Sequence, residues 1–354
     1  MSDLKDILTN KIIDGLRISE EEALTLYSFE MSQLSTLATL RKKEASDLNV
    51  FYNKNLHIEP TNFCIYNCRF CSYRAKNNAD GYVLTQNEII EKISGFANKI
   101  TEVHITGGVH PEWGINFFAN LLQKIKQKFP QLHIKAFTAT EIDHMCKIDN
   151  LSIKEGLKIL KQSGLSSLPG GGAEIFDDEI REKISPEKPS AKTWLEIHRL
   201  AHLEGLQSNA TMLFGHIENR LQRIKHMSLI RELQDETKGF NAFIPLKFRN
   251  KNNSMSNVKE SSTIEDLKTF AIARIYLDNI PHIKTYWPAI GKNFAQISLL
   301  FGVDDLDGTI NDSTTIYMRA GSAEIPSISV DELQNLILKS GFIPKERDSL
   351  YNPI

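Results

Sequence analysis

Cysteine is scarce in this chain, with four among 354 residues. So few thiols argue against a disulfide-stapled fold and fit a reducing cytoplasm. Charge of one sign is lacking too. The formal net charge is −2, with acidic and basic residues interspersed, which removes the electrostatic ground for nucleic-acid binding. Apolar runs are short and broken by charges, so no membrane span is expected. The opening residues Met1-Ser2-Asp3-Leu4-Lys5-Asp6 lack the apolar core of a signal peptide. No short-period repeat or low-complexity tract stands out. The length has room for one large barrel or two ordinary domains.

Three of the four cysteines fall in one octapeptide, Cys64-Ile65-Tyr66-Asn67-Cys68-Arg69-Phe70-Cys71. A short loop with thiolates at this spacing can wrap one metal centre. Three thiolates on a four-iron cube leave one iron open for a small ligand. A structural zinc site needs a fourth ligand, and Cys146 stands alone far along the chain. Phe70, just before the last cysteine, adds weight to the cluster. Two other classes stay open here: a zinc-binding interaction protein and an electron-transfer iron–sulfur protein.

Around this loop the chain alternates apolar strands with amphipathic helices. Residues 3–50 read as helical, with a capping box at Ser19 and Glu22. Strands are expected over 56–60, 102–106, 133–138, 166–169, 207–214, 240–248, 282–287 and 297–301. Helices between them are announced by capping boxes at Thr85, Ser152 and Ser262, and a closing helix by one at Ser329. Eight strands alternating with helices predict an α/β fold, a (β/α)8 TIM-type barrel, with a doubly wound open sheet as the alternative. The organisation expected is an N-terminal helical extension over 1–50 and one unit over 51–354. Residues 250–262 are polar and read as a surface loop.

Barrel enzymes build their sites at the C-terminal ends of strands, and polar residues gather there. Gly107-Gly108 follows the second strand, either as a turn or as a close backbone approach to a ligand. Gly170-Gly171-Gly172-Ala173-Glu174 follows the fourth. Glu174 either accepts from a ribose diol or favours a helix N-terminus. On the fifth strand Asn209, Thr211 and Leu213 share a face, with His216 and Glu218 at its exit. Asp304, Asp305 and Asp307 follow the eighth, as a metal-like acidic loop or as caps and hydroxyl acceptors.

The cysteine octapeptide resembles the C-x3-C-x-aromatic-C signature of the radical S-adenosylmethionine (SAM) superfamily. That resemblance implies a [4Fe–4S] cluster on Cys64, Cys68 and Cys71. It also implies SAM on the open iron, one-electron cleavage of its sulfonium, and a 5′-deoxyadenosyl radical. The blocks 169–176, 209–218 and 301–309 are similar to the menaquinone-pathway branch. Its members include aminofutalosine synthase, dehypoxanthine futalosine cyclase and the deazaflavin cofactor synthases. Residues 304–309, 234–237 and 277–284 look most like aminofutalosine synthase, which adds the adenosyl radical to 3-[(1-carboxyvinyl)oxy]benzoate. The resemblance implies SAM contacts from Phe70, Tyr73, Gly107, Gly108, Gly171, Glu174 and Asn209. For the substrate it implies His57, Arg249, Tyr286 and Arg319, with Trp287 beside Tyr286 as an aromatic wall. His216 and Glu218 are the expected catalytic pair. A reductant such as flavodoxin or ferredoxin is the implied partner.

Overall fold

A computed structural model describes residues 2–311 and 316–354. Among the described residues ten strands join one all-parallel sheet. They are β1 (Asn49–Tyr52), β2 (Asn55–Ile58), β3 (Glu102–Ile105), β4 (His133–Ala136), β5 (Ser167–Leu168), β6 (Gln207–Phe214), β7 (Phe240–Lys247), β8 (His282–Thr285), β9 (Asp305–Leu306) and β10 (Ile343–Glu346). Their order is β10-β1-β9-β8-β7-β6-β5-β4-β3-β2. Short parallel strands joined by helices roll into a barrel because helices cover the outer face and leave side chains to fill the inner one.

The expected barrel is present as a partial barrel. Among the described residues no ladder joins β2 to β9. Side chains cross that seam instead. The Thr309 hydroxyl accepts from Asn55 N at 3.1 Å and donates to Asn55 O at 3.1 Å. Asn55 Oδ1 accepts from Ile310 N at 2.8 Å. Gly308 passes so close to the opposite chain that a Cβ there would sit 1.9 Å from Asn53 O. Glycine at this position is therefore a condition of the seam.

The helices bury one face each. Ile115–Lys128 places Ile115, Phe118, Leu121, Leu122 and Ile125 inward, the spacing that makes one stripe at 3.6 residues per turn. Leu122→Ala would cost about 2–5 kcal/mol by leaving a cavity. At the N-terminus, Met31–Ser46 buries Leu34, Leu37 and Ala38 and packs against the helix Thr263–Tyr276. The division drawn at residue 50 falls inside β1.

Five helix starts carry the expected Ser or Thr cap. Ser19, Thr85 and Ser152 close reciprocal boxes. Ser262 and Ser329 accept from the third helical amide without the return bond.

One strand was misplaced. Residues 297–301 lie in the helix Lys292–Ser298 and the 3-10 turn Leu299–Phe301. Ile297 and Leu300 are exposed while Ala295, Ser298 and Leu299 are buried, a helical pattern hidden inside an apolar run. The strand that completes the sheet is β9, two residues inside the aspartate block. The strand expected over 282–287 stops at Thr285, because Trp287–Ile290 turns helical with proline in its first turn.

Candidate active site

The cysteine loop leaves the C-terminal end of β2 and is pinned on several sides. Gly108 N donates to Thr61 O at 2.8 Å and Ile65 N to Val109 O at 3.0 Å. A Cβ on Gly108 would lie 2.2 Å from Phe63 O, so this glycine seats the loop itself. Asn67 N donates to Glu187 Oε2 at 2.7 Å, Arg69 N to Ile184 O at 2.8 Å and Arg74 Nε to Cys64 O at 3.1 Å. A turn closes with Cys71 N donating to Cys68 O at 3.1 Å. Such pinning orders a segment whose functional groups are its thiols.

Cys64, Cys68 and Cys71 are free and half-buried. Burial pushes the Cys64 thiol up and the Cys68 thiol to about 12, against the pull of the Lys188 ammonium. Lys188 lies 2.6 Å from Glu174 Oε1 and 5.6 Å from the Phe70 ring centroid. Cys146 is buried in the separate helix Ala139–Ile148, its thiol at about 12 from burial. Among the described residues no three His, Cys, Asp or Glu side chains converge on one ion position. Three thiols on one ordered loop, with no fourth to close a tetrahedron, are the donor set for a cluster with one open corner.

Inside the barrel lies a cavity of about 220 Å³, whose wall includes Glu59, just past the end of β2 from which the cysteine loop leaves. Strand alternation fills it. His57 comes from β2, Glu102 and His104 from β3, Lys135 from β4, Asn209 and Thr211 from β6, Ile244 and Leu246 from β7, and Lys284 from β8. Glu59, Thr106, Thr138, Pro169, Gly170, Gly171, Tyr286, Asp307, Ile316 and Tyr317 complete the wall, so three carboxylates face two lysines there. One side is charged and the other apolar. Lys135 Nζ meets Glu102 Oε2 at 2.6 Å, both buried. Burial pushes Asp307 up, but Lys284, His57 and Lys135 overcome it and hold the carboxyl at about 2. His104 is held far below the usual imidazole value, by burial first and then by His57 and Lys135, so its ring is neutral.

The expected site residues divide into groups. His57, Gly171, Asn209 and Tyr286 line the cavity. Glu174 is buried at φ 48 and paired with Lys188. Gly107 N donates to Glu141 Oε1 at 3.2 Å. Tyr73 is buried and its hydroxyl donates to Thr61 O at 3.0 Å, while Phe70 packs on the core beneath Lys188.

None of these last four, nor Gly108, is in the cavity wall, and the remaining expected residues lie outside it too. Arg249 donates to Gly321 O at 2.8 Å and pairs with Glu260 at 3.3 Å. Arg319 is exposed on the short helix Ile316–Arg319. The Glu218 carboxylate accepts from Gly215 N at 2.6 Å, His216 N at 2.9 Å and Arg223 Nε at 2.7 Å. His216 Nε2 donates to Leu213 O at 3.1 Å. Its Nδ1 lies 3.1 Å from Glu218 Oε2 but is too poorly aligned for a hydrogen bond. Burial outweighs that carboxylate and lowers the His216 pKa. Trp287 is no wall either. It lies beneath, its indole donating to Asp307 O and Gly308 O at 3.1 Å.

Of the acidic block only Asp307 reaches the cavity. Asp304 pairs with Arg274 and with His282 at 2.9 Å, and Asp305 with Arg347 at 2.6 Å. Sequence reasoning missed Glu102, His104, Lys135, Lys284 and Lys188. The period-two placement of charged residues inside otherwise apolar strands was the signal for the first four.

Residues 58–230 match the radical SAM superfamily, and residues 237–354 match the CofH/MqnC C-terminal region. The chain belongs to the radical SAM superfamily. It is 40% identical to the aminodeoxyfutalosine synthase of Thermus thermophilus, over 98% of this chain and 95% of that one. It is 38% identical to 5-amino-6-(D-ribitylamino)uracil–L-tyrosine 4-hydroxyphenyl transferase 1 of Methanosarcina acetivorans, over 96% and 91%. The fold is that of methylornithine synthase (PylB), at a TM-score of 0.74 and 20% identity over 95% and 97% of the two chains.

Membership brings a [4Fe–4S] cluster and SAM, with the Cys64, Cys68 and Cys71 motif as its hallmark. The chain is thus a radical SAM enzyme acting on a small molecule. The zinc-protein and electron-carrier readings give way to it. No helix among the described residues is long and apolar enough to cross a membrane.

Proposed function

We propose that the enzyme is an aminofutalosine synthase. It breaks the C5′–S bond of SAM with release of methionine, joins the 5′-deoxyadenosyl group to the vinyl ether carbon of 3-[(1-carboxyvinyl)oxy]benzoate and releases carbon dioxide, yielding 6-amino-6-deoxyfutalosine for menaquinone synthesis. The observation that carries this is the 40% identity to the Thermus synthase, spread over 98% of the chain. The resemblance of residues 304–309 to the synthase adds support, and part of that block is at the cavity, where Asp307 lines the wall. A second reading, as a tyrosine 4-hydroxyphenyl transferase, is favoured by the 38% identity to the Methanosarcina protein.

In this proposal Cys64, Cys68 and Cys71 hold the cluster, which when bound supplies the electron that cleaves SAM. Gly107, Gly108, Gly171 and Asn209 offer SAM backbone edges and an amide. Glu174, held by Lys188, is aimed by its left-handed backbone, a strained conformation for a side-chain-bearing residue. Ile244, Leu246, Tyr286 and Tyr317 exclude water from a reactive radical. Glu218 holds its loop, and His216 stands beside it with its Nδ1 unbonded.

The electron comes from an acidic carrier such as flavodoxin or ferredoxin. Supporting this, Cys68 and Cys71 open onto a pocket shared with Lys76, Asn252 and Asn253, near exposed Arg69 and Lys251. Residues 64–79 and 247–259 contain no carboxylate. Residues 51–354 form the catalytic unit and 1–50 its helical extension, with β1 crossing that division.

The test is anaerobic incubation of reduced enzyme with adenosyl-labelled SAM and 3-[(1-carboxyvinyl)oxy]benzoate. Label in a decarboxylated adduct is expected. Label in 5′-deoxyadenosine with no adduct refutes the synthase. Turnover of dehypoxanthine futalosine would then favour the cyclase, and turnover of tyrosine with the ribitylaminouracil the transferase.

A further inference from the structure

A carboxylate entering a buried cavity must find a cation or several donors there, because an unpaired buried anion is strongly disfavoured. Two cationic side chains line this cavity, Lys135 and Lys284. They are not equivalent. Lys135 is occupied by Glu102 at 2.6 Å. Lys284 is 2% exposed, yet its nearest carboxylate oxygens lie at 3.5 Å on Asp307 and 3.7 Å on Asp305. Each of those acids has a nearer partner. Asp305 meets Arg347 at 2.6 Å, and Asp307 accepts from Asn55 Nδ2 at 3.1 Å and Gly308 N at 2.9 Å. A buried ammonium whose contacts are this long has donor capacity left over.

A second observation points to the same place. His104 Nε2 is buried without a hydrogen-bond partner, and the ring lines the same cavity, packed edge-on to His57 at 4.6 Å. A buried polar atom facing a cavity calls for a partner there, a water or a ligand group. Tyr286, two residues beyond Lys284, also lines the wall, so an aromatic ring above the ammonium would meet an aromatic surface.

We propose that Lys284, with His104 as a second contact, binds the ring carboxylate of the benzoate substrate. The ring then lies against Tyr286, and the vinyl ether end points toward the cysteine loop, where the adenosyl group arrives. The assignment rests on the synthase reading above. Asp307 and Asn55 act as positioning residues that hold the ammonium in place.

The test measures equilibrium binding by anaerobic calorimetry, with steady-state KM and kcat in parallel. The ligands are 3-[(1-carboxyvinyl)oxy]benzoate and its analogue with a carboxamide in place of the ring carboxylate. The proteins are wild type, Lys284→Gln and Lys284→Arg. Wild type should bind the carboxamide on the order of ten- to a hundredfold more weakly than the acid. Lys284→Gln should lose a similar factor for the acid, mostly in KM, and show no further penalty for the carboxamide. Lys284→Arg should recover most of the loss.

If Lys284→Gln fails to fold, the wild-type comparison and Lys284→Arg still decide. Equal wild-type affinity for the two ligands overturns the assignment, as does a full carboxamide penalty surviving in Lys284→Gln. Wild type that cleaves SAM but binds neither ligand overturns the substrate reading and this assignment with it. Wild type that binds the acid with no role for Lys284 overturns the lysine alone.

Discussion

Two loops leave the C-terminal ends of barrel strands, and the sequence marks both as functional. The cysteine loop after β2 keeps its thiols free, while its backbone amides are used for anchoring. The loop after β6 does the reverse, spending the Glu218 carboxylate on two of its own amides and on Arg223. Position at a strand exit is shared. What separates a site from a support is whether the side chain's hydrogen-bonding capacity is left over once the loop is built.

The largest expected effect tests the free side. Cys64→Ala, Cys68→Ala or Cys71→Ala should each remove iron, sulfide and visible absorbance together with turnover. Cys146→Ala should leave all of these unchanged, since its helix lies apart from the loop. Loss of cluster in the Cys146 variant would break the comparison at its start.

The next effect tests the consumed side. Arg223→Met leaves the buried Glu218 carboxylate without its cation, and breaking such a pair costs about 3–5 kcal/mol. Urea unfolding should show that loss, with the iron content and SAM affinity of the folded fraction retained. Unchanged stability with lost kcat would instead make this loop catalytic.

How far the sequence disclosed these differences depends on what kind of signal each feature leaves. Residues 207–214 appear at the bounds expected, because a long strand pattern has few alternative readings. The helix Ala139–Ile148 went unread although Thr138 and Glu141 close a capping box. Its short preceding strand ran straight into the cap. β1 was missed because residues 3–50 were read as one helical segment, β9 because its two residues lie inside the aspartate block, and β10 because none of its four side chains is buried, so it leaves no apolar stripe.

The cysteine motif was legible because its chemistry is local. The cavity was not, because Glu102, Lys135 and Lys284 come from three strands and become neighbours only when the sheet curls. Arg249 and Arg319 were plausible carboxylate partners by charge alone. Tertiary contacts place one against Glu260 and the other in solvent.

Glu174 sits between the two extremes, paired with Lys188 yet held at a backbone angle uncommon for glutamate. Glu174→Gln should weaken SAM binding about tenfold, the value of one charge-assisted hydrogen bond, while the cluster spectrum stays intact. Unchanged SAM affinity would move Glu174 to the supporting class with Glu218.

The smallest effect concerns His226, a side chain wholly consumed by structure. Its Nδ1 accepts from Phe176 N at 3.0 Å and its Nε2 donates to Thr211 O at 2.9 Å, tying the glycine-rich segment to β6. That pattern requires the neutral ring. Burial lowers its pKa to about 3, against the pull of the Thr211 carbonyl. Between about pH 6.5 and 3 the unfolded chain therefore binds a proton that the folded chain does not, so stability rises with pH across that window. Lowering the pH from 7 to 6 should cost about 0.7 kcal/mol through this one group. His226→Gln removes the titration whatever it does to absolute stability. Its urea-unfolding free energy should fall less steeply between pH 7 and 6, by about that amount. An unaltered slope would mean that His226 keeps an ordinary pKa in the folded protein, and that this part of the β6 support tolerates charge.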